Sequence, residues 1–250
     1  MPGGEREWTH DTSAGKTTLE NPLFWQEDKF YRELLQDGLA REGSPEKFRT
    51  QRFYNLLQAF QSTFDLEGET AEAGCLFGLS TFLMCGYEKA RTKAFTGAGH
   101  HLFDSFSGLS YPDSQDLQQA VPHPLMGKLA EERKRTAGRW PEGQSFLART
   151  KRVLADYPEL TYNVGWIPDV FIGIPQRRYR FVHVDVDLYM PTKASLEFFF
   201  PQMVPNGVIV VDDYGFTSWP GAKQAVDELC AAWRVRLISL TTGNAILLKR

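Results

Sequence analysis

The chain has 250 residues, of which 42% are hydrophobic and 13% aromatic, enough for a substantial core within one large domain. Its net charge of -3 and pI of about 6.0 argue against nucleic-acid binding, because affinity for phosphates needs clustered Lys and Arg. We also expect no membrane association, since no segment approaches the roughly 18 apolar residues that a transmembrane span needs.

The N-terminal region divides into two parts. Residues 1–20 are polar, rich in Gly, Ser and Thr, and without a signal-peptide core, which predicts a flexible tail. Residues 21–64 carry apolar side chains at helical spacing in "LFWQEDKFYRELLQDGLA" and "SPEKFRTQRFYNLLQAFQSTF". This spacing predicts an N-terminal helical segment that leads into the main domain.

Residues 65–250 alternate between apolar strand-like segments and helical segments, which predicts an α/β domain. Nearly continuous apolar strands such as "GVIVV" suit a parallel sheet covered on both faces. The predicted strands lie near Thr70–Cys75, His101–Phe103, Leu160–Val164, Arg180–Val184, Val208–Val211, Arg236–Leu240 and Ala245–Leu248. The polar stretch 111–144, with four prolines, interrupts the alternation and is predicted to be a functional insertion.

The three cysteines, Cys75, Cys85 and Cys230, have mostly apolar neighbours and no C-x-x-C spacing. This pattern is typical of reduced core residues in an intracellular protein, so we expect a cytoplasmic location.

A glycine-containing turn follows the first predicted strand of the domain. Glu72, Gly74 and Gly78 form an E-x-G-x-x-x-G pattern between that strand and an apolar helix. Glycines allow the backbone to turn sharply and approach a ligand, and the helix N-terminus offers free N–H groups. Asp104 ends the next strand, where doubly wound folds often place an acid that binds ribose hydroxyls. Because a dehydrogenase more typically has G-x-G-x-x-G, the pattern favours S-adenosylmethionine (SAM) over NAD.

Carboxylates follow two later strands. Asp185 and Asp187 come after one strand, and Asp212 and Asp213 after the next. Since parallel strands end at the same edge of a sheet, Asp185, Asp212 and Asp213 should converge there and would repel each other without a cation. An oxygen-rich site suits Mg²⁺ or another divalent cation, which could acidify and align a substrate hydroxyl.

Five segments together resemble the macrocin and mycinamicin (TylF-like) O-methyltransferases: "EAGCLFGLS", "LFDSFSGL", "VGWIPDVF", "HVDVDLYMPTKASLEFFFPQMVPNGVIVVDDYG" and "GAKQAVDEL". The resemblance covers residues 53–250 and implies a class I methyltransferase fold. That fold is a Rossmann-like doubly wound sheet of about seven mostly parallel strands, with the last strand antiparallel. It also implies SAM and Mg²⁺ dependence, methylation of a hydroxyl on a sugar or related antibiotic intermediate, and a homo-oligomer.

By this resemblance, the SAM-binding residues would be Glu72, Gly74, Gly78, Ser80, Asp104, Ser105, Gly165 and Trp166. The metal ligands would be Asp185, Asp212 and Asp213. The chain departs from the family at the glycine turn, which lacks the usual tryptophan and paired glycines, and at the insertion.

The sequence leaves the general base and two other functions open. Asp185, Asp187 and the insertion residue His123 are candidates for the base, while His183 within a strand is expected to be a hydrogen-bonded core histidine. Asp185-Val186-Asp187 is also a D-x-D triplet of the kind found in metal-dependent glycosyltransferases. A third possibility is a non-catalytic protein with the SAM-binding fold.

Overall fold

The computed structural model describes residues 8–12, 15–19, 24–43, 50–117, 146–216 and 220–250. Strands β1 (Trp8–Thr12) and β2 (Gly15–Leu19) pair as an antiparallel hairpin. The prediction of a flexible tail over residues 1–20 stays a prediction, with paired strands in the described part of that range. Composition suggested a tail, but the β-branched threonines in both strands favour extended backbone.

A seven-stranded sheet forms the centre of the molecule, in the order β5-β4-β3-β6-β7-β9-β8. All its paired strands run parallel except β9, which is antiparallel to both neighbours, as the class I fold predicts. The strands are β3 (Glu69–Ala73), β4 (His100–Asp104), β5 (Thr161–Val164), β6 (Tyr179–Val184), β7 (Met203–Val211), β8 (Arg236–Ser239) and β9 (Ala245–Leu248). Each overlaps a predicted strand, and β7 begins at Met203, well before the predicted Val208, while the other ends differ by at most two residues.

Helices cover both faces of this sheet. They are α1 (Phe24–Glu27), α2 (Lys29–Glu42), α3 (Thr50–Gln61), α4 (Leu79–Arg91), α5 (Ser114–Leu117), α6 (Phe146–Val153), α7 (Tyr189–Phe199) and α8 (Pro220–Trp233). Two 3₁₀ turns lie at Asp169–Phe171 and Phe200–Gln202. None of the helices in the described ranges is long and apolar enough to cross a membrane.

Two hydrophobic cores lie on opposite faces of the sheet. Val208 and Val210 of β7 face a core shared with α2, α3, α4 and α6. Ile209 and Val211 of the same strand face the other core, which contains side chains of α7 and α8. Because alternate residues of a strand point to opposite faces, this nearly all-apolar strand is buried on both sides. The N-terminal helices α2 and α3 pack against α4 and so belong to the first core.

The first residues of the predicted insertion are anchored to the domain. Asp116 of α5 is buried, and its Oδ1 accepts a hydrogen bond of 2.7 Å from the backbone N–H of Tyr189, the first residue of α7. Leu188 before it offers no side-chain cap, so Asp116 satisfies one of the free N–H groups of that helix from a distant part of the chain. Residues 118–145 lie outside the described part.

A buried histidine in β4 makes stability depend on pH. His100 Nδ1 lies 2.7 Å from Thr70 Oγ1, and burial lowers its pKa from 6.5 to about 4. Between pH 6.5 and about pH 4, the unfolded chain therefore binds a proton at His100 that the folded chain does not. Stability from neutral His100 is present above pH 6.5 and is lost as pH falls through about 4.

We predict that the stability advantage of the wild type over His100→Asn shrinks by up to about 3 kcal/mol between pH 7 and pH 4. Asn keeps a hydrogen-bonding group near Thr70 but does not titrate. Urea unfolding of both proteins at pH 7, 5 and 4 measures the difference. A difference that stays constant over this range would contradict the assignment of a neutral, buried His100.

Candidate functional site

The glycine turn between β3 and α4 lies directly against the end of β6. Gly74 has a φ of +79°, and a Cβ at this position would collide with the carbonyl oxygen of Asp185 and lie 2.9 Å from Val186 Cγ1. Gly78, with a φ of +88°, precedes the first turn of α4. Only glycine fits this approach, which places the predicted cofactor turn beside the predicted metal ligand Asp185.

Glu72 and Ser80 are hydrogen-bonded to each other within the fold, and their predicted contact with the cofactor stays a prediction. The Glu72 side chain has no exposed surface, and its carboxylate accepts hydrogen bonds from Ser80 Oγ and Thr81 Oγ1. Glu72 Oε1 also lies 2.7 Å from His183 Nδ1. Glu72 of β3 and Ser80 of α4 are both buried, and the hydrogen bond between them braces the turn.

Asp104 clasps the same turn from the neighbouring strand. Its Oδ2 accepts hydrogen bonds from the backbone N–H groups of Cys75 (2.7 Å) and Leu76 (3.2 Å), and its Oδ1 accepts one from Phe106 (2.6 Å). A carboxylate has about four acceptor positions, so three are already engaged within the protein. The ribose-binding role of Asp104 stays a prediction, while its role in shaping the turn is evident.

The remaining predicted cofactor residues lie along the same edge of the sheet. Gly165 follows β5, and its N–H donates to the Asp104 carbonyl at 2.9 Å. The adjacent Trp166 exposes 44% of its surface. Ser105 follows β4, and its Oγ donates to the Gly108 carbonyl at 3.0 Å. Gly165 and Trp166 therefore adjoin the Asp104 strand end, with an aromatic surface available for an adenine ring.

The four carboxylates after β6 and β7 form one cluster. Asp213 is buried, and burial together with the charges of Asp187, Asp185 and Asp212 raises its pKa well above its ordinary value. Asp187 adopts a left-handed backbone with a φ of +59°, a conformation that Asp tolerates better than most residues. The neighbouring ends of β6 and β7 bring Asp185, Asp212 and Asp213 together, as predicted. His123 lies outside the described residues.

His183 connects the acid cluster to the glycine turn. It stands opposite Glu72 in the parallel register of β3 and β6, and its Nε2 is 3.9 Å from Asp212 Oδ1. Burial lowers its pKa, but the carboxylates of Asp212 and Glu72 outweigh that effect and raise it to about 10. The expectation of a hydrogen-bonded core histidine is confirmed, and the two neighbouring acids favour its charged form.

The cluster fits a hard cation. Asp213 Oδ2 is buried and has no hydrogen-bond partner among the described residues. Donor atoms of His183, Asp185 and Asp212 lie within 4.8 Å of one another. Because Mg²⁺ prefers oxygen ligands, the carboxylates of Asp185, Asp212 and Asp213 suit it better than the histidine nitrogen.

Two residues of the site were missed from the sequence. Arg52 Nη2 donates to the carbonyl oxygen of Asp212 at 3.0 Å and to its Oδ2, and lies 3.4 Å from Asp213 Oδ1. Asn244 Nδ2 donates to Asp212 Oδ1. Arg52 lies in an amphipathic helix where an exposed position is the default expectation, and Asn244 lies in a turn. Neither has a local signal, since only the fold brings them to Asp212.

Comparison with known protein families finds one that matches this chain. The family described as Macrocin-O-methyltransferase (TylF) matches residues 46–237, most of the chain. The chain belongs to this family. The matched range includes every predicted cofactor and metal residue, and the resemblance inferred from the five segments is confirmed.

Methyltransferases are among the proteins that this macrocin O-methyltransferase family member resembles. A 50-residue stretch is 38% identical to 8-demethyl-8-(2,3-dimethoxy-alpha-L-rhamnosyl)-tetracenomycin-C 4'-O-methyltransferase of Streptomyces olivaceus, covering 20% of this chain and 19% of that enzyme. Among solved structures, the O-methyltransferase NovP matches with a TM-score of 0.64 and 19% identity over 91% of this chain and 98% of that one. The calicheamicin methyltransferase CalS11 matches with a TM-score of 0.63 and 20% identity over 96% and 94%. The two structures confirm the class I methyltransferase fold, which implies SAM as the methyl donor.

The close approach at Gly74 yields a matched pair of substitutions. Gly173 has the same φ of +79°, but apart from its chain neighbours no atom of the described residues lies within 4 Å of the position that a Cβ would occupy there. Gly173→Ala should therefore cost only the left-handed strain of about 1 kcal/mol. Gly74→Ala adds a backbone collision and should destabilise the fold by about 2 kcal/mol more. Urea unfolding of the two variants measures this difference. Equal losses would show that the turn has room for a Cβ.

Proposed function

We propose that this protein transfers the methyl group of SAM to a hydroxyl of a sugar, carried by a natural product or its activated precursor, with help from a divalent cation. The observation that carries the proposal is the cluster of Asp185 with the buried Asp212 and Asp213 beside the glycine turn in a macrocin O-methyltransferase family member. The cation would be held by those three carboxylates and the methyl donor by the turn.

The sugar acceptor is supported by the relatives' own substrates. The curated relative is a 4'-O-methyltransferase of a rhamnosyl tetracenomycin. CalS11 is described as a TDP-rhamnose 3'-O-methyltransferase. Each name contains a deoxysugar, once on a finished aglycone and once on a nucleotide. A deoxysugar hydroxyl is therefore the acceptor class that we favour for this chain. Experiment must decide whether that sugar is attached to an aglycone or to a nucleotide.

Each part of the site would contribute to alignment. Methyl transfer requires the acceptor oxygen in line with the S–CH₃ bond, so positioning supplies much of the rate through effective molarity. A cation bound here would acidify the acceptor hydroxyl and fix its position. Asp187, in its left-handed loop conformation, is a candidate to accept the hydroxyl proton, along with Asp185 and His123. The Glu72–His183 contact would hold the donor turn and the acid cluster at a constant separation.

The alternatives explain less of the site. A glycosyltransferase would use Asp185 and Asp187 but leave the glycine turn and Asp212-Asp213 without a role, and the family match argues against it. A non-catalytic protein would have no need for a buried carboxylate such as Asp213 to be surrounded by three others. Homo-oligomer formation stays a prediction.

A transfer assay tests the proposed activity directly. With labelled SAM, we expect methylation of TDP-L-rhamnose or of a rhamnosylated aromatic polyketide in Mg²⁺ and little product in EDTA. The same acceptor lacking the methylated hydroxyl controls for the site of transfer, and a simple catechol controls for phenolic activity. If SAM binds but no sugar hydroxyl receives the label, the proposed acceptor class is wrong.

Substitution of Asp213 tests the metal role. Asp213→Asn should lower kcat by about 10²-fold or more, because a catalytic metal supplies several kcal/mol to the transition state. Affinity for S-adenosylhomocysteine should change little, since Asp213 lies outside the glycine turn. The exposed Asp65→Asn provides a charge-matched control. Retention of Mg²⁺-dependent activity by Asp213→Asn would exclude it as an essential ligand.

A further inference from the structure

Arg52 of α3 inserts its guanidinium into the acid cluster. It contacts the Asp212 carbonyl and carboxylate, lies 3.4 Å from Asp213 Oδ1, and its Cζ lies 4.5 Å from the centre of the Phe216 ring. Only 13% of its side chain is exposed. A buried cation–carboxylate contact of this kind is strong but leaves little room for a second positive charge.

A second connection joins α3 to the same acid without using charge. Asn55 Nδ2 donates to Thr242 Oγ1 at 2.9 Å, Thr242 Oγ1 donates to Asn244 Oδ1 at 2.9 Å, and Asn244 Nδ2 donates to Asp212 Oδ1. Helix α3 therefore reaches Asp212 through Arg52 and through this relay. If the Arg52 contact were broken, the relay could still hold α3 in place.

We propose that Arg52 is an exchangeable counterion, which neutralises Asp212 and Asp213 until a divalent cation displaces its guanidinium. Arg52 is thus a positioning residue that keeps the acids together and sets the affinity of the site for metal. The inference rests on the proposed function, because it assumes that these carboxylates hold a cation. It assigns a role to an N-terminal helix that lies outside the sheet.

Arg52 and a bound cation would compete for the same carboxylate oxygens. Asp212 Oδ2 and Asp213 Oδ1 both face the guanidinium, and both belong to the predicted ligand set. A metal ion and Arg52 could not contact both oxygens together without strong repulsion between their charges. Removing the arginine charge should raise cation affinity, and it should also expose the acids to mutual repulsion when no cation is present.

Binding of Mn²⁺ alone, followed by the loss of its free EPR signal, tests the inference in the wild type and four variants. Arg52→Gln should bind Mn²⁺ about tenfold or more tightly than the wild type, while Arg52→Lys, which keeps the charge, should stay closer to it. Asn55→Ala breaks the relay without a change of charge, and the exposed Arg32→Gln matches the change in net charge. Neither control should tighten binding.

Thermal unfolding of the same proteins gives a second signature. Without metal, Arg52→Gln should melt below the wild type, and added Mg²⁺ should raise its Tm by more than it raises the wild-type Tm. S-adenosylhomocysteine binding confirms that each variant is folded.

The outcomes separate the inference from the proposed function. Tighter Mn²⁺ binding by Arg52→Gln alone supports the exchange. Equal or weaker binding by Arg52→Gln, with a wild type that does bind Mn²⁺, overturns the exchange and leaves the metal site standing. No Mn²⁺ binding by any protein, with S-adenosylhomocysteine bound normally, overturns both the exchange and the metal role.

Discussion

Buried negative charge at the carboxyl edge of the sheet is the constraint on which this structure depends. Glu72, Asp212 and Asp213 are all buried, and Asp185 and Asp187 lie close to them. Such a group of acids is stable only with compensating charge and hydrogen bonds. The guanidinium of Arg52 supplies charge, His183 has a pKa raised by the neighbouring acids, and the hydroxyls of Ser80 and Thr81 supply hydrogen bonds.

This compensation also links the two halves of the proposed reaction site. His183 lies between Glu72, which braces the glycine turn, and Asp212, which belongs to the acid cluster. Gly74 brings the backbone of that turn against Asp185. A displacement of either half would disturb the other, since they share a buried ion pair and a backbone contact. Methyl transfer benefits from such rigidity because donor and acceptor must be collinear.

Much of this site was predictable because its signals are local. The strands are apolar runs, the turn is marked by Gly74 and Gly78, and the acids follow strand ends, so parallel topology alone predicts their convergence. The hydrogen bond between Glu72 and Ser80 was not predictable. Their position in a motif suggested contact with the cofactor, and the structure adds that both side chains are buried and bonded to each other. Burial of a side chain depends on which elements cover it.

The sequence by itself determined the α/β class, the strand positions, the family and the four acids, since each depends on residue type and spacing along a short stretch. Only the tertiary structure decided which charges oppose those acids. Arg52 lies 160 positions before Asp212, and Asn244 lies 32 positions after it. Helix α3 could present Arg52 to solvent as easily as to the site, judged from periodicity alone. The packing of α3 against β7 and α4 decides the orientation of Arg52, because it places this side of the helix next to Asp212.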